Sequence, residues 1–161
     1  MATAKLEGKG SPKGLSRLFF RTPIWLYKAR LGFLLGHRFV MIEHIGCKSG
    51  LKRQVVLEVV ANEPDATYVA AAWGDKAQWL KNVKANPRIT AHLAGSRFET
   101  DAEIIDKDAA HEVLTKYAQH HPRALAGLSR FMLEDPGGTL EEQVDNVSDV
   151  VPFVRLPKPQ T

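Results

Sequence analysis

The chain has one cysteine, Cys47, in 161 residues, so no disulfide can close within it and no cysteine-rich zinc site can form. That usage fits a reducing cytoplasm better than secretion. No apolar run approaches the roughly 20 residues that cross a bilayer, and the first residues lack the charged, apolar, then small pattern of a secretory signal. A soluble protein, at most peripheral to a membrane, is expected. No serine sits in a G-x-S-x-G elbow, and the six histidines show no HExxH or comparable spacing, so neither a hydrolase nucleophile nor a metal site is expected. Zinc-finger spacing, an aromatic RNA-binding motif and a helix-turn-helix pattern are missing as well, which argues against nucleic acid as a partner. If the protein is an enzyme, a bound cofactor has to carry the reaction while the chain supplies binding, orientation and field.

What is present is positive charge, unevenly placed. Residues 1–53 hold 11 Lys/Arg against two acids, Glu7 and Glu43, whereas residues 54–161 hold 11 against 16, a split of +9 and −5 behind the net +4. Such a field suits a polyanionic cofactor or an acidic lipid surface. Its densest part is Gly46–Arg53 (GCKSGLKR), with two glycines, three cations and a hydroxyl between two strand-like runs, Arg38–Ile45 and Gln54–Asn62. Glycines admit positive φ and expose consecutive N–H groups, and Lys48, Lys52 and Arg53 add charge, so a phosphate or carboxylate is the natural occupant. Ser49, between Lys48 and Gly50, reads as an anion-binding hydroxyl. The loop lacks the Walker A spacer and precedes a strand, which excludes nucleoside-triphosphate hydrolysis. A solvated basic turn is the alternative reading.

The composition, 44% hydrophobic and 25% charged, fits one domain with a proper core. Residues 1–14 read as a flexible basic tail, and residues 15–161 as a single domain opening with a basic amphipathic helix at 15–36. That helix either lies on the domain or makes a peripheral membrane contact. Ala66–Ala72 reads as a third strand, and Asp75 with Gln78 as a cap for a short helix carrying Trp79, Leu80 and Val83, ended by Asn86-Pro87. Arg88–Ala94 and Arg97–Ile105 alternate and form a hairpin. Asp106 or Asp108 caps a helix to about His120, Pro122 opens another, and Thr139 with Glu142 forms a capping box. Val150–Leu156 is the last strand, with Pro152 inside it. Glu43 and Glu58, in otherwise apolar strands, are expected to face solvent. The order points to a mainly β, α+β domain: a small antiparallel barrel with peripheral helices.

The run GCKSGLKR, followed by WGDKAQWLKNVKANP and RITAHLAGSRFETDAEII, resembles the deazaflavin-dependent nitroreductase family of actinobacteria, whose signatures are G-R-K-S-G-x-P-R and W-x-x-N-L-x-A-N-P. The resemblance spans about Phe39–Ile105. It implies a split β-barrel of the FMN-binding type that binds coenzyme F420, a deazaflavin with a phosphate and a polyglutamate tail. It further implies that Lys48, Ser49, Gly50 and Arg53 hold phosphate and tail, and that Trp73, Lys76, Trp79 and Asn82 line the deazaflavin or phosphate side. Cys47 stands where the family has arginine, and Lys52 and Val56 where it tends to have proline. The reaction implied is hydride transfer from reduced deazaflavin to a small electrophilic acceptor: a quinone, a nitro compound or an activated C=C, with Tyr68, Tyr117 or solvent as proton source. An FMN-dependent split-barrel reductase and a non-catalytic fatty-acid- or lipid-binding module are the alternatives. A homodimer is compatible with a split barrel.

Overall fold

The computed structural model describes residues 36–160, so the tail at 1–14 and nearly all of the amphipathic segment at 15–36 lie outside the described residues. β1 (Phe39–Ile45) and β2 (Lys52–Asn62) form an antiparallel hairpin, as their alternation predicts. Lys52 and Arg53 prove to be rungs of the ladder, opposite Ile45 and His44, so the connecting loop shrinks to residues 46–51. The remaining elements are β3 (Ala66–Ala70), α1 (Gln78–Ala85), β4 (Arg88–Leu93), β5 (Ser96–Asp101), β6 (Glu103–Ile105), α2 (Lys107–His120), α3 (Pro122–Met132), α4 (Leu140–Val150) and β7 (Phe153–Pro157).

The strands run β5-β4-β1-β2-β3-β7-β6, each antiparallel to its neighbours. Only Ala102 separates β5 from β6 in the chain, yet they occupy opposite edges of the sheet, which forces it to curl until the edges approach. The expected strand Arg97–Ile105 is therefore broken. Buried Ala102 donates its amide to the Pro87 carbonyl at 2.9 Å, and the chain passes there from pairing with β4 to pairing with β7. β2 serves both halves, pairing with β1 through Glu58 and with β3 from Val59 onward, across an irregularity between Val59 and Ala61. The fold is a split β-barrel with peripheral helices.

Alternation along the strands builds two cores. Val40 and Ile42 of β1, Val69 of β3, Ala91 of β4 and Leu156 of β7 fill the inside, joined by Trp79, Leu80 and Val83 from α1. Val60, Tyr68, Ala70 and Phe153 face the other way and are covered by Leu114, Leu125 and Val147 from the three longer helices. Each fully buried Leu or Phe contributes roughly 1.5–3 kcal/mol.

The helix signals hold where a side chain supplies the cap. Asp106 accepts from the Ala109 amide at 2.9 Å, and Thr139 and Glu142 form the reciprocal capping box of α4. Asp75, by contrast, does not cap α1. A 3₁₀ turn at Gly74–Lys76 intervenes, α1 begins after Ala77 with no side-chain cap, and Asp75 pairs with Lys84 instead. Pro152 is not inside the last strand either: Val150 ends α4, β7 starts at Phe153, and the Pro152 carbonyl accepts from the Ala71 amide, just past the end of β3.

Candidate functional site

The loop at residues 46–51 is closed by its own backbone, with the Gly46 amide donating to the Leu51 carbonyl at 2.9 Å and the Gly50 amide to the Gly46 carbonyl at 2.8 Å. Gly50 takes φ +64°, the left-handed region that L side chains rarely adopt. At Gly46 a Cβ would stand 2.5 Å from the Ser49 hydroxyl, which accepts from the Leu51 amide at 3.3 Å. Glycine is required there by close approach. The tight turn leaves the amides of Lys48 and Ser49 with no hydrogen-bond partner among the described residues. Lys48 and Arg53 likewise have no carboxylate partner among them. Two adjacent N–H groups and two cations without carboxylate partners among the described residues are the donor set that an anion would require.

Lys52 is spent differently. Its ammonium lies 3.2 Å from Glu43, whose other oxygen accepts from Gln54 at 3.1 Å and faces the His92 ring at 3.4 Å. Glu43 is thus half-buried within a cluster rather than solvent-facing as expected, whereas Glu58 is exposed. Burial pushes the Glu43 carboxyl up, but Lys52 and Gln54 outweigh it and hold it below the usual carboxylate range.

The second sequence motif meets the first through Asn82, which is 1% exposed. Its Oδ1 accepts from the Cys47 amide at 2.9 Å and from the Gln78 side chain at 3.1 Å, and its Nδ2 faces His44 Nδ1 at 3.1 Å. Gln78 also reaches the Cys47 sulfur at 3.7 Å. The helix bearing Trp79 and Asn82 is therefore latched to the cationic loop. His44 is 4% exposed and sits opposite Arg53 in the β1–β2 ladder; burial, with Arg53 adding to it, pushes the imidazole down to about 4.

The expected site residues divide in two. Lys48, Ser49, Gly50 and Arg53 are exposed on the loop and its first rungs, and Lys76 is exposed on the 3₁₀ turn beside half-buried Trp73. Trp79 and Asn82 are buried, the first in the inner core and the second behind the loop. Tyr68 and Tyr117 pack with the outer, helix-covered core, while Trp73 and Trp79 pack with the inner one. From spacing alone, His44 reads only as a candidate metal ligand. Its signal was its place as the third member of the inward series Val40, Ile42, His44, where a polar ring needs a partner.

Elsewhere, a groove of about 320 Å³ between α2 and α4 is lined by Ala118, Leu140 and Val144, with His111 paired to Asp145 at 2.9 Å. Its lining holds no Lys or Arg, so it does not suit a polyanion. No helix among the described residues is long and apolar enough to cross a membrane, and none of their His, Cys, Asp and Glu residues cluster as a metal site.

The architecture defines the class: a split β-barrel whose first hairpin is latched to a tryptophan-bearing helix. Residues 19–126 match the F420H(2)-dependent quinone reductase family. The chain belongs to this family and is an oxidoreductase. Among solved structures it is similar to an F420-H2-dependent reductase (FDR-A) at 21% identity, over 76% of this chain and 96% of that one, with a TM-score of 0.53. It is similar also to a structure described as a domain-swapped dimer, at 18% identity over 83% and 97%, TM-score 0.53. A third is a conserved hypothetical protein of Mycobacterium tuberculosis, at 17% identity over 80% and 77%, TM-score 0.52. These likenesses establish the fold. No curated protein matches the chain.

Proposed function

We propose that the chain is a reductase that uses reduced coenzyme F420 and passes its hydride to a small electrophilic acceptor, a quinone first, with nitro compounds and activated C=C bonds as the related class. The observation that carries this reading is the cradle: the unpartnered amides of Lys48 and Ser49 beside Lys48 and Arg53, latched through Asn82 to the tryptophan helix. The residues fit the coenzyme's anionic end. Phosphate and tail carboxylates need fixed N–H donors and cations not already neutralised, and the loop offers both.

When bound, the coenzyme supplies the hydride. Lys48, Ser49, Gly50 and Arg53 hold the anionic end, while Trp73 and Lys76 flank the ring side. Trp79 fills the barrel interior behind them and Asn82 fixes the loop, so these two act by position. The contribution of the chain is orientation of donor and acceptor within one site. Tyr68 and Tyr117 belong to the core under the helices, and solvent is the proton source we assign. A second copy of the chain is the proposed protein partner, by analogy with the domain-swapped relative.

The test is titration with oxidised coenzyme F420, followed by quenching of Trp25, Trp73 and Trp79, with FMN in parallel. Saturable quenching by the deazaflavin and none by FMN at equal concentration is expected. Indifference to both at millimolar supply overturns the reading and favours lipid carriage; preference for FMN replaces the coenzyme.

A further inference from the structure

Asn82 has one acceptor oxygen and one donor nitrogen on its amide, and the neighbours fix which is which. Two N–H donors, the Cys47 amide at 2.9 Å and Gln78 Nε2 at 3.1 Å, converge on Oδ1. The –NH₂ must then point at His44 Nδ1, 3.1 Å away, and an –NH₂ can only donate. His44 Nδ1 is therefore a lone pair, and the ring is the neutral tautomer protonated on Nε2. Turning the Asn82 amide over would set Oδ1 against that lone pair and –NH₂ against the Cys47 N–H. Both contacts would be repulsive, and both groups are buried or part-buried, where an unmet donor or acceptor costs about 1–3 kcal/mol.

We propose that His44 is a positioning residue: buried behind the loop, it accepts from the Asn82 amide, reinforces the direction that the Cys47 and Gln78 donors give it, and so helps hold the Cys47 backbone in the conformation that presents the next two amides to an anion. This rests on the proposed coenzyme reading only for the identity of the anion. The chain of contacts runs from β1 to α1 and back to the loop that follows β1. A purely apolar residue at 44 would fill the same space but leave the Asn82 –NH₂ unmet, so that the Cys47 and Gln78 donors alone would hold the amide.

Three measurements decide it. In wild-type protein without ligand, ¹⁵N spectra of His44 at neutral pH should show an unprotonated Nδ1; an Nδ1–H tautomer or an imidazolium overturns the proposal whatever the variants do. Hydrogen exchange at the Cys47 amide, also without ligand, should be about tenfold faster in His44→Leu, equivalent to about 1.4 kcal/mol. His44→Gln, which keeps an acceptor, should restore most of the protection, and His44→Leu should add little once Asn82→Ala is present. A folded His44→Leu with unchanged Cys47 exchange, or an undiminished effect in the Asn82→Ala background, overturns it. Coenzyme F420 titration of the same proteins should show His44→Leu weakened about tenfold and His44→Gln near wild type. If wild-type protein ignores the coenzyme, the functional reading fails, while the spectra and exchange still decide the role of His44.

Discussion

Asn82 Oδ1 lies 2.9 Å from the amide of Cys47, a contact across 35 residues that joins the helix of the second motif to the loop of the first. Removing the side chain strands the Cys47 N–H and the His44 ring together, and a lost buried partner of this kind costs about 1–3 kcal/mol for each group left unmet. Asn82→Ala should therefore destabilise the domain by about 2–4 kcal/mol in urea unfolding, with no change in the slope that reports exposed surface. A cost under about 0.5 kcal/mol would mean that water replaces both contacts and that the latch is not structural.

The buried imidazole makes stability depend on pH. Unfolded, His44 takes up a proton near 6.5; folded, only near 4. Above 6.5 neither state holds the proton and the group contributes no pH dependence. As pH falls from 6.5 towards 4 the unfolded chain binds a proton that the native state refuses, so stability drops, levelling off below about 4. Between pH 7 and pH 5 the loss should be about 2 kcal/mol more in wild type than in His44→Gln. Equal slopes for the two proteins would show that His44 charges freely in the folded state.

Much of the barrel was legible because its strands alternate without interruption: RITAHL, and FVMIEHI against QVVLEVV, leave little choice of face. The Asp106 cap, the Thr139–Glu142 capping box and Pro122 were legible because each signal is satisfied within four residues. The break at Ala102 was not, since Phe98, Thr100, Ala102 and Ile104 keep the two-residue period straight through it, and period says nothing about which strand is the partner. Asp75 misled for a related reason. Asp and Gln at the right spacing promise a capping box, but Gly74 at φ +55° starts a 3₁₀ turn and moves the helix start past Asp75 to Gln78 itself. Of the site, the cations and glycines could be read directly, because charge and backbone freedom are local properties. Its division into exposed and buried residues could not. That depends on Lys52 finding Glu43 and Asn82 finding Cys47, pairings that only the curl of the sheet and the docking of α1 create.

The capping box of α4 offers a test of the helical layer that leaves the loop untouched. Thr139 accepts from the Glu142 amide at 3.1 Å, and Glu142 accepts from the amides of Thr139 and Gly138 at 3.0 and 2.8 Å. Those bonds hold the Glu142 carboxyl below its ordinary range. Thr139→Ala should cost about 1 kcal/mol, seen as a fall in thermal midpoint of a few degrees, with coenzyme binding unaltered. Loss of binding alongside would tie the helical layer to the site.

Lys48 and Lys52 carry the same charge four residues apart, but their surroundings assign them different work. Lys52 faces Glu43 at 3.2 Å and neutralises it, whereas Lys48 meets no carboxylate among the described residues. An anion bound at the loop should therefore depend more on Lys48. Reversing that charge places a carboxylate beside the two free amides, where it both repels the ligand and competes for its donors. Lys48→Glu should weaken binding of the tailed coenzyme by tenfold or more and that of a deazaflavin lacking phosphate and tail much less, and raised salt should narrow the gap between wild type and variant for the tailed form. Lys52→Glu should act mainly on stability, by setting two carboxylates together at Glu43. Equal losses for tailed and tail-less ligands in Lys48→Glu would show that the loop does not grip the anionic end.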